Sequence, residues 1–226
     1  MPTDAGRRPR TLAVMDDQGP HRRRNRRGQG ALLRDDILAA ATALIERDKH
    51  SGDVTLRRIA REAEITAPSI YAHFDDLDAI LDTVLNGYFD ELRDTIRTAA
   101  VAEPEPERAL LAGCRAYTRF AFDRPGRYRA LFDRMHPPTA SPAEAPATPL
   151  PALPNRLDVF QTLVDAIRHT AEAGRSASTD PFAEALAVWA AMHGAILLRM
   201  SVPLFPWPDE GPFIEALVRR TALLTA

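Results

Sequence analysis

The chain of 226 residues lacks the features on which several function classes depend. Its single cysteine, Cys114, cannot close an internal disulfide and stands in no metal-type spacing, which predicts a reducing, cytoplasmic setting. The lone histidines His21, His50, His136 and His169 share no ligand spacing, so no metal site is expected. No glycine-rich phosphate loop and no nucleophile and base pair is legible, so no catalytic residue and no cofactor is assigned. The longest apolar run, residues 186–198, is interrupted by His193 and closed by Arg199. It falls short of the roughly 20 residues that a membrane span requires and reads as a buried helix. Before residue 31 no apolar run extends past residues 12–15, too short for the core of a secretory leader. Neither strand-like alternation nor a fixed internal repeat competes with the helical periodicity described below.

A net charge of −2 argues against a nucleic-acid partner only as an average. Before residue 31 stand Arg7, Arg8, Arg10, Arg22, Arg23, Arg24, Arg26 and Arg27 against Asp4, Asp16 and Asp17, a local excess of +5. The same segment holds few apolar side chains and several glycines and prolines, a composition that cannot bury enough surface to offset the entropy of ordering. Residues 1–30 are therefore expected to form a flexible, arginine-rich arm.

From Leu33 the apolar positions Leu33, Ile37, Ala40, Ala41, Leu44 and Ile45 recur three and four apart, which predicts an amphipathic helix. Ser51-Gly52-Asp53 breaks it, and Thr55 then caps a second helix carrying Leu56, Ile59, Ala60 and Ala63. A turn at Glu64-Ile65 leads to Thr66, whose hydroxyl is expected to cap a third helix with Pro68 in its first turn, ending near Phe74. A long fourth helix follows Asp75 or Asp76, with Ile80, Leu81, Val84, Leu85, Tyr88, Phe89, Leu92 and Ile96 on one face. Further helices are expected over 108–122, 128–135, 157–172, 181–200 and 212–224. Residues 137–154 hold a proline every few positions and read as an extended connection. The expected fold class is all-α: a three-helix unit over 31–76 and a larger helical unit over 77–226.

Two short helices joined by a tight turn and wedged by Ile59, Ala60, Ile65 and Ile70 are the ingredients of a helix-turn-helix, whose second helix enters the DNA major groove. Thr55, Ile59-Ala60 and Tyr71-Ala72-His73-Phe74, followed by a long helix, resemble the N-terminal domain of TetR-type regulators. Trp189, His193 and Gly194 are similar to a Trp-x-x-x-His-Gly signature of one branch of TetR-type C-terminal domains. The resemblance implies a homodimer paired through its last two helices, an effector pocket in the C-terminal core, and a transcriptional regulator, in the first instance a repressor released by a small molecule. It departs from the family at two positions. Glu64 stands where glycine is common and must adopt a left-handed conformation or shift the turn, and Leu77 replaces a common lysine, leaving the fourth helix's N-terminal N–H groups to meet a phosphate.

On this reading Thr55, Tyr71 and His73 meet phosphates, while Ala67, Pro68, Ser69 and Ala72 face bases, with Thr66 at the start of the reading helix. That set holds no Arg, Lys, Asn or Gln, so methyl contacts to thymine replace bidentate readout. Arg57 and Arg58 add contacts, and Arg26 and Arg27 with their neighbours reach a minor groove or track phosphates. The partners implied are a palindromic double-stranded operator, a second copy of the chain, and a small, largely apolar effector. Residues placed around the pocket by the resemblance are Tyr88, Tyr117, Phe120, Met135, Trp189, Met192 and His193. Several residues have a plainer reading: Phe74 as a core aromatic, Tyr71 as core or DNA contact, Trp189 and His193 as packing partners, Cys114 as a small buried hydrophobe. The alternative function is an all-helical enzyme or carrier that binds a small molecule on the same scaffold. Deleting residues 1–30 is expected to weaken DNA binding, and to flatten its dependence on salt, while leaving the dimer intact by size-exclusion chromatography. Unchanged affinity in a titration across salt concentrations would remove the arm from the interface.

Overall fold

The computed structural model describes residues 29–47, 54–133 and 154–225, which form nine helices. They are α1 (Gln29–Arg47), α2 (Leu56–Glu62), α3 (Ala67–Ile70), α4 (Leu77–Val101), α5 (Pro106–Asp123), α6 (Pro125–Asp133), α7 (Pro154–Glu172), α8 (Pro181–Ser201) and α9 (Glu210–Thr221). No strand occurs among the described residues, only an isolated bridge between Ser176 and Leu224. The all-α expectation holds. The arginine-rich arm, apart from its last two residues, and nearly all of the proline-rich connection lie outside the described residues.

Four helices begin on a proline: apolar periodicity alone set a later start for α5 at Pro106, α6 at Pro125 and α7 at Pro154, and anticipated the start of α8 at Pro181. A proline in the first turn forfeits no hydrogen bond, because that N–H has no partner inside the helix, and its fixed φ suits the helical start. Pro154, read as the last residue of the extended connection, is thus the first residue of the helix that follows it.

The apolar faces anticipated for α1 and α4 are the buried ones. Ile37, Ala41, Leu44 and Ile45 on α1 meet Ile59, Ala60 and Ile70 from α2 and α3, and the same cluster continues through Ile80, Leu81, Val84, Leu85 and Leu92 of α4. Each fully buried Ile or Leu stabilises by about 1.5–3 kcal/mol, so this shared stripe holds the three-helix unit to the larger one. Beyond it α4 packs on α5, α5 on α7, and α8 on both α7 and α9.

The expected burial of α8 is met on one side only. Ala185, Val188, Met192, Ala195 and Ile196 are in the core, whereas Ala183, Ala187, Ala190, Leu197 and Leu198 are exposed. The helix is long and apolar enough to cross a membrane by length and composition, but its buried side is a core face of the bundle.

The body is tied at its C-terminal end by Glu107 of α5, a largely buried carboxylate. It accepts from Arg219 of α9 at 2.6 Å and pairs with Arg175 of the α7–α8 turn at 2.8 Å. Hydrogen bonds from Arg219 and Arg175 outweigh desolvation and hold the carboxyl below the usual carboxylate range. A depressed folded-state pKa contributes stability that is full above the ordinary value of 4.5 and is lost as pH falls through the folded value. Glu107→Gln is expected to cost about 1–3 kcal/mol at neutral pH, a lowering of the melting temperature by roughly 5 °C. The gap to wild type should close as melts are recorded at successively lower pH below that ordinary value; a gap independent of pH would contradict the ion pairing.

Candidate nucleic-acid interface and effector cavity

The reading head is built by caps and a turn. Thr55 is extended (φ −134°, ψ 155°), and its Oγ1 accepts from the Arg58 N–H at 3.3 Å, so the predicted cap of α2 is present. At the other end Ile65 N–H reaches Ala60 O at 2.9 Å and Glu64 N–H reaches Arg61 O at 3.2 Å, with Glu64 at φ +54°. This pair of bonds closes a helix through a left-handed residue, a position that glycine fills without cost. The left-handed Glu64 anticipated from the sequence is therefore observed.

Thr66 does not cap α3 as expected. Its carbonyl accepts from the Ser69 N–H at 2.9 Å, and its hydroxyl lies 2.7 Å from Ser69 Oγ instead of at a backbone donor. Nor does α3 run as a helix to Phe74. It ends at Ile70, whose carbonyl collects both His73 N–H and Phe74 N–H, so Tyr71 and His73 sit on a closing turn. Phe74 is buried, with the Arg34 guanidinium 4.9 Å from its ring centre, while Tyr71 is 59% exposed. The open choice at Tyr71 thus falls on the surface side. Thr55, Arg57, Thr66, Pro68 and Ala72 are also exposed, and Ala67, Ser69 and His73 are half-buried. Arg26 and Arg27 lie outside the described residues.

The N-terminus of α4 differs from expectation. Asp76 caps it by accepting from the Ala79 N–H at 2.8 Å, so one donor meant for a phosphate is already used. Exposed Asp75 and Asp78 add negative charge beside it. An anion is favoured at a helix start by free donors and a positive end, and this start has supplied its own.

Behind the head, α6 docks on the end of α1. A Cβ on Gly126 would stand 2.8 Å from the Glu46 carbonyl oxygen and 3.0 Å from its Cα, so the two backbones meet where only glycine fits. The next residue, Arg127, bridges Glu46 of α1 at 2.6 Å and Glu91 of α4, and Arg124 adds a 2.7 Å contact to Glu91. Tyr88 belongs to this junction. Its ring lies under Arg127 at 5.2 Å, its hydroxyl is 3.4 Å from Glu46, and burial followed by the Glu46 charge pushes its phenol up to about 12.

The larger unit forms a partly open cavity of about 350 Å³ between α4, α5, α6, α7 and α8. That is the lower end of the size range of small-molecule sites. Tyr117, Trp189 and Met192, all anticipated, line it. Phe120, under the Arg124 guanidinium, and Tyr88, turned toward α1 and α6, do not, and Met135 lies outside the described residues. His193 stands behind the wall, with Nδ1 2.6 Å from Tyr128 Oη and its ring 4.4 Å from Phe132. Wall residues that the sequence reading passed over are Phe132, Phe160, Leu163, Phe182 and Leu186. Phe182, Leu186, Trp189 and His193 follow one helical stripe, and that spacing was the available signal. Cys114 is in the wall and 4% exposed, and burial pushes its thiol up to about 12, leaving little reactive thiolate.

Residues 37–84 match the family model described as bacterial regulatory proteins, tetR family, and residues 110–221 match the tetracyclin repressor-like C-terminal domain. The chain belongs to the TetR family. It is 25% identical over 191 residues to an uncharacterized HTH-type transcriptional regulator of Mycobacterium tuberculosis, covering 84% of this chain and 81% of that one. A second HTH-type transcriptional regulator, from Bacillus subtilis, is 29% identical over 104 residues, covering 44% and 51%. In fold the chain is similar to a protein of unknown function from Rhodococcus sp. RHA1 (TM-score 0.66, 22% identity, 90% and 94% covered). It is also similar to a TetR family transcription regulator from Marinobacter aquaeolei VT8 (TM-score 0.64, 14% identity, 89% and 100% covered). The TetR family and these sequence relatives are transcription regulators, not enzymes, so the enzyme or carrier alternative is not favoured.

In this TetR-family head the left-handed Glu64 carries a backbone cost that glycine lacks. Glu64→Gly is expected to stabilise the protein by about 1 kcal/mol, read as a rise of roughly 2–4 °C in a thermal melt. A melting temperature that falls would show that the Glu64 side chain contributes more than its backbone costs.

Proposed function

We propose that the protein is a homodimeric, cytoplasmic repressor that binds a palindromic operator and leaves it when a small, largely apolar molecule occupies the cavity. The observation that carries this reading is the double duty of α6. Phe132, toward one end, is part of the cavity wall, while Gly126 and Arg127, at the other, grip α1 of the reading head. A ligand that shifts α6 therefore has a rigid route to the head, which is what differential binding to two conformations needs.

At the DNA, Thr55, Tyr71 and His73 position the head on phosphates, and Ala67, Pro68, Ser69 and Ala72 face the bases, with Thr66 opening the reading helix. Arg57 lies beside them, and Arg26 and Arg27 of the arm supply charge that Asp75, Asp76 and Asp78 withhold. Dimerisation through α8 and α9 is supported by the exposed side of α8, where Ala183, Ala187, Ala190 and Leu198 leave an apolar, small-residue face. A two-fold dimer presents two heads to half-sites separated by whole helical turns.

Tyr71 is exposed, so its removal should leave the melting temperature unchanged. In a gel-shift titration, wild type is expected to prefer a duplex from the protein's own promoter region over random duplex, and Tyr71→Ala to lose about fivefold in affinity, the equivalent of one hydrogen bond of about 1 kcal/mol. Equal affinity of the wild type for both duplexes would sink the assignment.

A further inference from the structure

No charged side chain lines the cavity among the described residues. Its polar groups are few. The Thr162 hydroxyl gives its proton to the Asp158 carbonyl at 2.9 Å and has no donor left for a ligand, and the Cys114 thiol is a weak donor. What remains converges on one atom. Tyr117 Oη lies 2.9 Å from Tyr128 Oη. Behind them Tyr128 Oη lies 2.6 Å from His193 Nδ1. Tyr117 and Trp189 are wall residues, whereas Tyr128 and His193 are not.

The chain of bonds sets what Tyr117 can offer. With the proton on His193 Nδ1, the relay runs from His193 to Tyr128 to Tyr117 and leaves the Tyr117 proton for the cavity. With the proton on Nε2, Tyr117 donates to Tyr128 and keeps a lone pair for a ligand donor. In either tautomer one uncharged hydrogen-bonding function is presented on an otherwise apolar wall, and a hydroxyl ligand satisfies both.

Resting on the reading of the cavity as an effector site, we propose that it selects an uncharged, mainly hydrocarbon ligand with a single hydroxyl- or carbonyl-type oxygen, anchored on Tyr117, and rejects carboxylates and ammonium ions. An ion entering this site gives up much of its hydration and meets no opposite charge, a penalty that no wall group among the described residues offsets. Burial pushes the Tyr117 phenol up to about 12, in line with a wall that disfavours charge. A neutral oxygen, by contrast, exchanges its bond to water for one to Tyr117.

The test uses four probes on one carbon skeleton: butylbenzene, 4-phenylbutan-1-ol, 4-phenylbutanoate and 4-phenylbutylammonium. Binding to the full chain at neutral pH is read by the change in tryptophan fluorescence, since Trp189 is in the wall, and by ligand-induced thermal shift. Wild type is expected to bind butylbenzene and the alcohol, and the two ions at least thirtyfold more weakly than the alcohol. Tyr117→Phe is expected to weaken the alcohol by three- to tenfold while leaving butylbenzene within twofold. If butylbenzene binds but an ion binds as tightly as the alcohol, the charge selection is overturned while the cavity reading survives. The same holds for the anchor if Tyr117→Phe weakens alcohol and butylbenzene alike. If no probe binds wild type, the cavity reading falls and this inference with it. The comparison of ions with alcohol in wild type needs no variant, so it stands even if Tyr117→Phe does not fold.

Discussion

The close approach of α6 to the end of α1 is the constraint around which the molecule is arranged. Two helices normally keep 8–10 Å between axes because side chains separate them. Here Gly126 removes that spacer against the Glu46 carbonyl, and Arg127 answers two carboxylates from different helices, Glu46 and Glu91. Both carboxylates are partly exposed, so the ion pairs add modest energy, and their worth lies in direction: a planar guanidinium with two partners fixes the angle of α6. Because α4 carries Glu91 and also buries its stripe against α1, a displacement of α6 is felt on two helices at once.

Charge is distributed so that the outside is networked and the inside is not. Glu107 gathers Arg175 and Arg219 at the C-terminal end, and Glu46 and Glu91 gather Arg127 and Arg124 at the junction. Between these clamps the cavity wall is left to aromatic and aliphatic side chains, with the Tyr117, Tyr128 and His193 bonds satisfying one another. Buried polar groups are tolerated when they are paired, and this relay meets that condition without introducing an ion. The same economy leaves the reading head short of cations beside Asp75, Asp76 and Asp78, which is why the arginine-rich arm enters the account of DNA affinity.

Much of the head was legible because its signals are local. Thr55 caps by reaching its own Arg58 N–H, and Glu64 must turn left-handed because the chain reverses between Ala60 and Ile65; both follow from neighbours a few residues apart. Thr66 misled for the same reason, since a hydroxyl three residues on, at Ser69, competed with the backbone donor. The helix starts at Pro106, Pro125 and Pro154 were missed because proline breaks a helix interior and suits a helix start, and sequence pattern distinguishes the two poorly.

By itself the sequence determined that the chain is helical, where its helix-turn-helix lies and which faces of α1 and α4 are apolar, because periodicity and capping act within a few residues of each position. The tertiary structure decided which aromatic side chains share a cavity, and that Tyr88 serves the α1–α6 junction while Tyr117 serves the cavity wall. The assignment of Tyr117 to a cavity wall, and not to any ligand, depends like that of Tyr88 on which helix from far along the chain arrives opposite each ring. That is a property of packing, on which local spacing is silent.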